Sequence, residues 1–363
     1  MTYRTLLVVV MMFTMAPAAF SQQHSPDVGI DRSNLIWESP HVQAQAMRGI
    51  HALGAQWVRD GLSGHSPSTD AAFVQELSFA KQDGLKFLAI VGVKSGDYDA
   101  GYHNPNPGDA FKKACGWQTG SPEISRVDIA RFKSRLKQQL DAVKAAGLLI
   151  DGFEIGNEYD SSCFDGDVPF GHEASAEEFE NVVGGYAHLL RAAATLIHNP
   201  AYFPAAPIIT FGIAHISDRT DKFNHHITDP DRIIAALQDF GGFNYLDNGD
   251  YKISGIGSHI YVGVDGIDTK APQLLAADAV AGGGMPVWIT EWGFNTWAFR
   301  KRTDLTRADA FTRFYAMLDR QPISLGPSFI YAYSEHKGGG WSLVDDDGNL
   351  RPEAEAIALR ARR

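Results

Sequence analysis

The chain has 363 residues, of which 44% are apolar, 11% aromatic and 21% charged, with 36 glycines, 17 prolines and 2 cysteines. This composition excludes a collagen, a coiled coil, a disulfide-rich miniprotein and a disordered chain, because each of these needs a more biased residue usage. The formal charge of −11 argues against nucleic acid and an anionic membrane surface as partners, and it favours a neutral ligand.

The start of the chain has the pattern of a removable secretory signal. Arg4 precedes an apolar run over residues 6–13, and small residues up to Ser21 supply a cleavage site. We therefore expect a signal peptide over residues 1–21 and a single domain over residues 22–363, with a mature charge of −12. A secreted or periplasmic, monomeric protein without membrane contact is expected. A buried N-terminal strand or helix is the alternative.

Export would bring the two cysteines into an oxidising compartment. An oxidising compartment permits a disulfide between Cys115 and Cys163, and both lie in Gly- and Pro-containing stretches beyond predicted strands. We therefore expect a bridge between two loops rather than two free thiols. Two cysteines alone cannot build a metal site, so neither a metal nor another cofactor is expected.

Short β-rich runs alternate with longer amphipathic runs along the rest of the chain. Strands are predicted at residues 28–31, 57–60, 86–92, 152–157, 208–213, 253–261, 287–291 and 328–333. Helices are predicted at residues 41–53, 69–82, 125–146, 176–198, 230–240, 272–281, 305–320 and 353–362. Ser125 and Ser175 are predicted helix N-caps, the second with Glu178 in a capping box.

Eight strand and helix units close most economically into a single α/β domain, a (β/α)8 TIM barrel. A doubly wound open sheet is the rival fold. It ordinarily has a Gly-rich turn after its first strand, and residues 29–33 lack the G-x-G-x-x-G pattern. The long loop over residues 94–122 would follow the third strand on the face where barrel active sites lie.

The fourth predicted strand carries two carboxylates. Because side chains alternate along a strand, Glu154 and Glu158 share the face that turns to the barrel axis. Phe153 and Ile155 share the other face and pack against helices. Glu158 then emerges at the mouth of the barrel, whereas Glu154 lies deeper and needs a buried partner. Arg59, at the end of the second strand, is the candidate.

The seventh predicted strand brings another carboxylate to the same rim. Alternation places Val287, Ile289 and Glu291 on the barrel-facing side, so that Trp288 faces the helices. Strands four and seven lie nearly opposite in a ring of eight. Two facing carboxyl groups are what cleavage of a glycosidic bond requires, because one protonates the leaving oxygen and the other attacks or stabilises the oxocarbenium-like centre.

The sixth predicted strand adds two rings that can form hydrogen bonds. His259 and Tyr261 share one face with Gly255 and Gly257. A tyrosine hydroxyl beside a carboxylate can hold it ionised, and a histidine can bond to sugar hydroxyls or to the acid. We expect both rings at the site, and a hydrogen-bonded pair of core rings is the alternative.

These motifs together resemble glycoside hydrolase clan A, the retaining (β/α)8 enzymes, and families 5 and 39 are nearest in style. The resemblance rests on Asn157-Glu158 after a strand, on His259-x-Tyr261, and on Glu291 in Ile-Thr-Glu-Trp-Gly. Their order and spacing agree, and the similarity covers nearly the whole mature chain.

The resemblance implies a role for each matching residue. Glu158 would be the acid/base and Glu291 the nucleophile. Asn157 would donate to the substrate 2-hydroxyl, Tyr261 would lie beside the nucleophile, and Arg59 would lie beneath it.

The tryptophans at the cleft depart from the pattern of the clan. The clan often has a Trp at the end of the eighth strand as the floor of the −1 subsite, and Ile-Tyr-Ala-Tyr at residues 330–333 has none. Tyr333 or Trp341 is expected to replace it. Trp292 and Trp341 are expected to bind substrate, because sugar rings stack on aromatic planes, and Trp117 and Trp297 are further candidates.

The sequence therefore predicts a secreted retaining β-glycoside hydrolase that cleaves O-glycosidic bonds of a neutral oligo- or polysaccharide by double displacement. Two other functions stay open. One is a non-catalytic carbohydrate-binding protein on the same barrel, motivated by the absent strand-eight Trp. The other is a structural or adhesive exported protein without a sugar site.

Overall fold

Eight parallel strands form the centre of the molecule. The computed structural model describes residues 25–62, 66–105, 108–116, 119–215, 230–300, 304–334, 340–345 and 347–362, so the predicted signal peptide lies outside the described residues. The strands are β1 (Val28–Asp31), β2 (Trp57–Gly61), β3 (Lys86–Val91), β4 (Gly152–Ile155), β5 (Ile208–Ile213), β6 (Gly255–Ile260), β7 (Val287–Trp292) and β8 (Leu325–Ile330). They close into a barrel in chain order, and β1 pairs with β8, which confirms the predicted (β/α)8 fold.

Helices follow the strands and cover the outside of the barrel. Those of the described part are α1 (Pro40–Ala52), α2 (Pro67–Gln82), α3 (Asp109–Cys115), α4 (Ile129–Ala145), α5 (Ala176–Ile197), α6 (Asp231–Ala236), α7 (Lys270–Ala281), α8 (Arg307–Leu318) and α9 (Glu353–Ala361). Within these ranges the structure contains no helix with the length and apolarity that a membrane span needs.

The helix N-termini follow local capping chemistry. At α5 the Ser175 hydroxyl accepts from the Glu178 amide and the Glu178 carboxylate accepts from the Ser175 amide, which confirms the predicted capping box. The predicted cap at Ser125 is wrong. Its hydroxyl donates to Asp167, and α4 instead begins after Asp128, whose carboxylate accepts from two backbone amides.

Most predicted boundaries differ from the observed ones by a few residues, and two differences concern the loop after β3 and the last strand. The loop after β3 contains the short helix α3, which the sequence pattern does not predict, because Gly, Pro and Asn residues surround it. Strand β8 spans Leu325–Ile330 and so begins and ends three residues before the prediction, although it contains Pro327, which has no amide hydrogen to donate. The register between β7 and β8 is irregular at this point.

Large side chains fill the barrel interior below the mouth. This group contains Trp57, Leu88, Ile209, Trp288 and Phe329. The rings of Trp57 and Trp288 meet edge to face with centroids 5.5 Å apart, although β2 and β7 are not neighbours in the barrel. The contact therefore crosses the interior, and the prediction that Trp288 faces the helices is wrong.

The faces of β7 are exchanged relative to the prediction. Val287 and Ile289 belong to the core that the barrel shares with its helices. Strict alternation would then turn Glu291 outward. The pairing of β6 with β7 slips between Ser258, opposite Ile289, and His259, opposite Glu291. This bulge returns the Glu291 side chain to the barrel axis.

The ring of Trp288 packs closely against Gly255, where a side chain would collide with it. A Cβ on Gly255 would lie 2.7 Å from Trp288 Cδ1 and 2.8 Å from the carbonyl oxygen of Pro286. We expect Gly255→Ala to lower the free energy of unfolding by about 1–3 kcal/mol through overpacking. Gly263→Ala is the matched control, because a Cβ there meets nothing within 4 Å. Urea denaturation measures both, and equal effects of the two variants would contradict the prediction.

Candidate active site

The chain turns sharply where β4 ends at the mouth of the barrel. Gly156 has a φ of 93°, and a Cβ on it would overlap the Tyr159 ring. Glu158 has a φ of 51°, an uncommon value for a residue with a side chain. Its amide donates to the Gly212 carbonyl of β5 at 3.2 Å, which holds the turn. Backbone strain of this kind is typical of functional sites.

Arg59 lies fully buried beneath this turn and donates hydrogen bonds to four side chains. Its Nε contacts Glu154 Oε2 at 2.6 Å, which confirms the predicted ion pair. Its Nη1 is shared between Asp31 Oδ2 at 2.6 Å and Glu291 Oε1 at 2.7 Å. Its Nη2 contacts Asn157 Oδ1 at 2.9 Å. One guanidinium therefore connects β1, β4 and β7.

Glu291 is held in its ionised form. Its second oxygen, Oε2, accepts from the Tyr261 hydroxyl at 2.7 Å. Burial alone would raise the pKa of Glu291. The charges of His259 and Arg59, with the hydrogen bonds from Tyr261 and Arg59, outweigh burial and hold the pKa below its ordinary value.

His259 lies between the two glutamates. Its Nδ1 is 2.8 Å from Glu158 Oε1 and 3.6 Å from Glu291 Oε2. Burial favours the neutral ring, but the charges of Glu291 and Glu158 dominate together and raise the pKa of His259. An oxygen of Glu158 and an oxygen of Glu291 lie within 4.8 Å of each other.

In the described part of the chain, Glu158, His259 and Glu291 form the one cluster whose donor atoms could hold a metal ion. The guanidinium of Arg59 already binds Glu291 and would repel a cation there. The hydrogen bond between His259 and Glu158, and those that Tyr261 and Arg59 donate to Glu291, account for the arrangement without a metal.

A cleft of about 600 Å³ opens above these groups, and we call it the first chamber. Three of its lining residues form an aromatic group: the Tyr261 and Trp341 ring centroids are 5.2 Å apart, and Tyr331 is 6.3 Å from Tyr261. Trp341 therefore lies in the cleft beside Tyr261, as expected of the residue that replaces the absent strand-eight Trp. Tyr333 does not, because its hydroxyl packs against α1 at Gly49.

The tryptophan predictions divide. Trp292 is fully buried and stacks on Phe314 of α8 with centroids 4.1 Å apart, so the prediction that it binds substrate is wrong. The bulge in β7 turns Glu291 inward and leaves the next side chain on the helix face. Trp297 is 58% exposed and contacts Arg300. Trp117 lies outside the described residues.

The predicted disulfide is confirmed. Cys115 at the end of α3 and Cys163 in the loop after β4 are bonded, with Cα atoms 5.3 Å apart. The bond joins the loops after β3 and β4, and Cys163 lines a cavity beside the first chamber.

Other residues of the site were not predicted. Asp31 is the last residue of β1 and Asp60 is the penultimate residue of β2, and an acidic residue near the C-terminal end of a barrel strand was a usable signal for them. Tyr331 follows β8, where the expected Trp is absent. Lys94 and Phe164 line the first chamber from loops without a sequence pattern.

Comparison with solved structures shows a shared fold. A GH5_18 protein from Bifidobacterium longum subsp. infantis is 13% identical, with 93% of this chain and 78% of that chain covered and a TM-score of 0.58. The exo-β-1,4-mannosidase from Opitutaceae bacterium strain TAV5 is 14% identical, covers 96% and 62%, and has a TM-score of 0.56. The endo-β-1,4-mannanase from Thermotoga petrophila is 11% identical, covers 93% and 76%, and has a TM-score of 0.55.

In fold, the chain resembles the family 5 glycoside hydrolases of clan A. No family model matches the sequence, and no curated protein matches it. At these identities the similarity concerns the fold of the barrel and does not extend to the chemistry of the side chains.

The buried acids give a prediction for stability against pH. Burial raises the pKa of Asp31 to about 7 and that of Asp160 to about 6, from 3.8. Each group keeps its proton in the folded protein at a pH where the unfolded chain has lost it. The raised pKa of His259 acts in the same direction. Stability should therefore fall as the pH rises from about 5 to about 8.

Thermal melts at constant ionic strength measure this slope. Asp31→Asn removes one titrating group, so the variant should lose less stability than the parent over the same pH range. A melting temperature that rises with pH, or a slope unchanged in the variant, would contradict the assignment.

Proposed function

We propose that this chain is a secreted retaining β-glycoside hydrolase that cleaves O-glycosidic bonds of a neutral oligo- or polysaccharide. The observation that carries the proposal is the pair of carboxyl groups at the mouth of the barrel, with oxygens of Glu158 and Glu291 within 4.8 Å of each other. Retaining enzymes hold their two carboxyl groups about 5–5.5 Å apart, whereas inverting enzymes leave room for a water at about 6.5–9.5 Å.

The environments of the two carboxyl groups support different roles. Glu291 is ionised by Arg59, Tyr261 and His259, as a nucleophile must be. Glu158 contacts His259 and has none of the Arg59 contacts. The raised pKa of His259 keeps a proton beside Glu158, from where it can reach the leaving oxygen.

Double displacement then proceeds in two steps. Glu291 attacks the anomeric carbon while Glu158 gives its proton to the departing oxygen, which forms a glycosyl-enzyme ester. Glu158 next takes a proton from water, and the water oxygen displaces Glu291. Asn157 contributes to binding, because its side-chain oxygen accepts from Arg59 and its amide nitrogen is left as a donor to a sugar hydroxyl.

The structural neighbours suggest which substrates to test first. They include an exo-β-1,4-mannosidase and an endo-β-1,4-mannanase. We therefore put β-1,4-linked mannosides at the head of a screen that also includes glucosides and galactosides. The rings of Trp341, Tyr261 and Tyr331, which meet edge to face, would hold the apolar face of the sugar.

Substitution of each glutamate tests the roles. We expect Glu158→Ala and Glu291→Ala each to lose about 10³-fold or more in kcat on the aryl glycoside that the parent hydrolyses best. Azide should rescue both. In Glu291→Ala it replaces the nucleophile and gives the inverted α-azide, whereas in Glu158→Ala it attacks the glycosyl-enzyme and gives the β-azide.

Glu180→Gln, on the exposed face of α5, is the matched control and should keep parental turnover. The first anomer released by the parent, followed by NMR, should be β. Wild-type rates in either glutamate variant, or an α product, would overturn the mechanism. Sugar binding without hydrolysis in the parent would favour the non-catalytic alternative.

The disulfide should matter more for substrate binding than for the barrel. We expect a Cys115→Ala and Cys163→Ala double variant to keep a folded barrel with kcat little changed. KM should rise about threefold to tenfold, because reordering the released loops costs roughly 0.5–1.5 kcal/mol for each immobilised side chain. Circular dichroism and steady-state kinetics on oligosaccharides measure the two effects. An unchanged KM would contradict the prediction.

A further inference from the structure

A second chamber of about 420 Å³ lies beside the first. Its wall comes from residues 119–122 of the loop after β3 and from Tyr159, Cys163 and Phe164 after β4. The Cys115–Cys163 bond ties these two loops together. Four residues line both chambers, so the two are continuous: Gly92, Lys94, Asn157 and Phe164.

Lys94 is the one Lys, Arg or His among the described residues that line the two chambers. No described carboxylate lies within 4.0 Å of its ammonium group, whereas Arg59 and Arg135 both have such partners. Lys94 is partly buried. Burial, and then the charge of Arg135, lower the pKa of Lys94, so the nearby acids do not fully compensate its charge.

The nearest acids are occupied by other groups. Both oxygens of Asp97 accept from Arg135, at 2.8 and 2.7 Å. The carboxylate of Asp60 accepts from the backbone amides of Asn34 and Gly61, and also from that of Leu35. The ammonium group of Lys94 is therefore the available cation at the junction of the chambers.

The two chambers differ in charge. The first contains Asp60, Glu158 and Glu291, whereas no described residue that lines the second is acidic. An anion in the second chamber would meet Lys94 together with uncharged groups such as Asn104 and Ser121. This is unusual in a chain of charge −11, whose surface as a whole repels anions.

We propose that the second chamber binds an acidic sugar unit, with its carboxylate or sulfate paired to Lys94, next to the neutral unit that lies over Glu291. The inference rests on the proposed glycoside hydrolysis and changes one part of it: the substrate is a largely neutral glycan that carries an isolated acidic unit. A densely charged polyanion is disfavoured, because the acidic groups of the first chamber would repel the adjacent charges.

Binding to the full mature chain with Glu291→Ala tests this, because the ligand then stays intact. The probes are β-1,4-linked disaccharides of mannose, glucose and galactose, each compared with versions that carry a C6 carboxylate or a 6-sulfate on either unit. Titration calorimetry should find an acidic probe bound about tenfold tighter than its neutral counterpart, as expected for one charge-assisted hydrogen bond. The preference should shrink as salt is added.

Substitutions of Lys94 test whether its charge causes the preference for acidic probes. Lys94→Met, combined with Glu291→Ala, should remove it, and Lys94→Arg should retain it. Lys113→Met, on the exposed side of α3, is the charge-matched control and should bind like the parent. If Lys94→Met does not fold, as judged by its thermal melt, Lys94→Gln replaces it.

Equal binding of acidic and neutral probes throughout the panel would overturn the proposal, and so would a preference that survives in Lys94→Met. A loss of neutral and acidic binding in equal measure would show that Lys94 binds hydroxyl groups instead. These outcomes are separate from those for hydrolysis. If the glutamate variants keep full turnover, the proposed function fails even where the charge preference is present.

Discussion

The site depends on one buried cation that ties three strands together. Arg59 is fully buried and bonds to Asp31, Glu154 and Glu291, so its charge is satisfied only if β1, β4 and β7 keep their positions. A buried charge without a partner is costly, which makes this arrangement cooperative. Burial raises the pKa of Asp31 to about 7, and the charge of Glu291 adds to this rise, because one guanidinium does not cancel three carboxylates.

The same guanidinium links stability to chemistry. It helps to keep Glu291 ionised while Glu158, which it does not touch, contacts His259 instead. Two chemically identical side chains at one rim thus have different environments. Nothing in either glutamate distinguishes them, and the difference arises from which strand carries the neighbouring basic group.

The two chambers of the cleft also differ in the residues that line them. Tyr331 and Trp341, which follow β8, line the first chamber together with Glu291, and the loops after β3 and β4 form the second chamber with Lys94 at its entrance. The barrel fixes the carboxyl groups, and the disulfide fixes the loops that surround them. The two glutamates and the walls of the cleft are therefore positioned by different parts of the molecule.

The sequence alone determined the barrel, His259, Tyr261 and the Arg59 to Glu154 pair, because strand alternation and the need to pair a buried charge are local rules. The sequence placed Glu158 by the same alternation, although β4 ends at Ile155 and Glu158 lies in the turn that follows. The sequence placed Glu291 correctly at the mouth of the barrel, but from the wrong assignment of the two faces of β7. Trp288 occupies the interior, and a bulge, which pattern reading cannot detect, corrects the side on which Glu291 emerges. Tertiary structure alone decided that Trp292 is core and that Lys94 enters the cleft, because burial depends on contacts with distant elements. Loop positions are set by packing and the disulfide rather than by a periodic pattern.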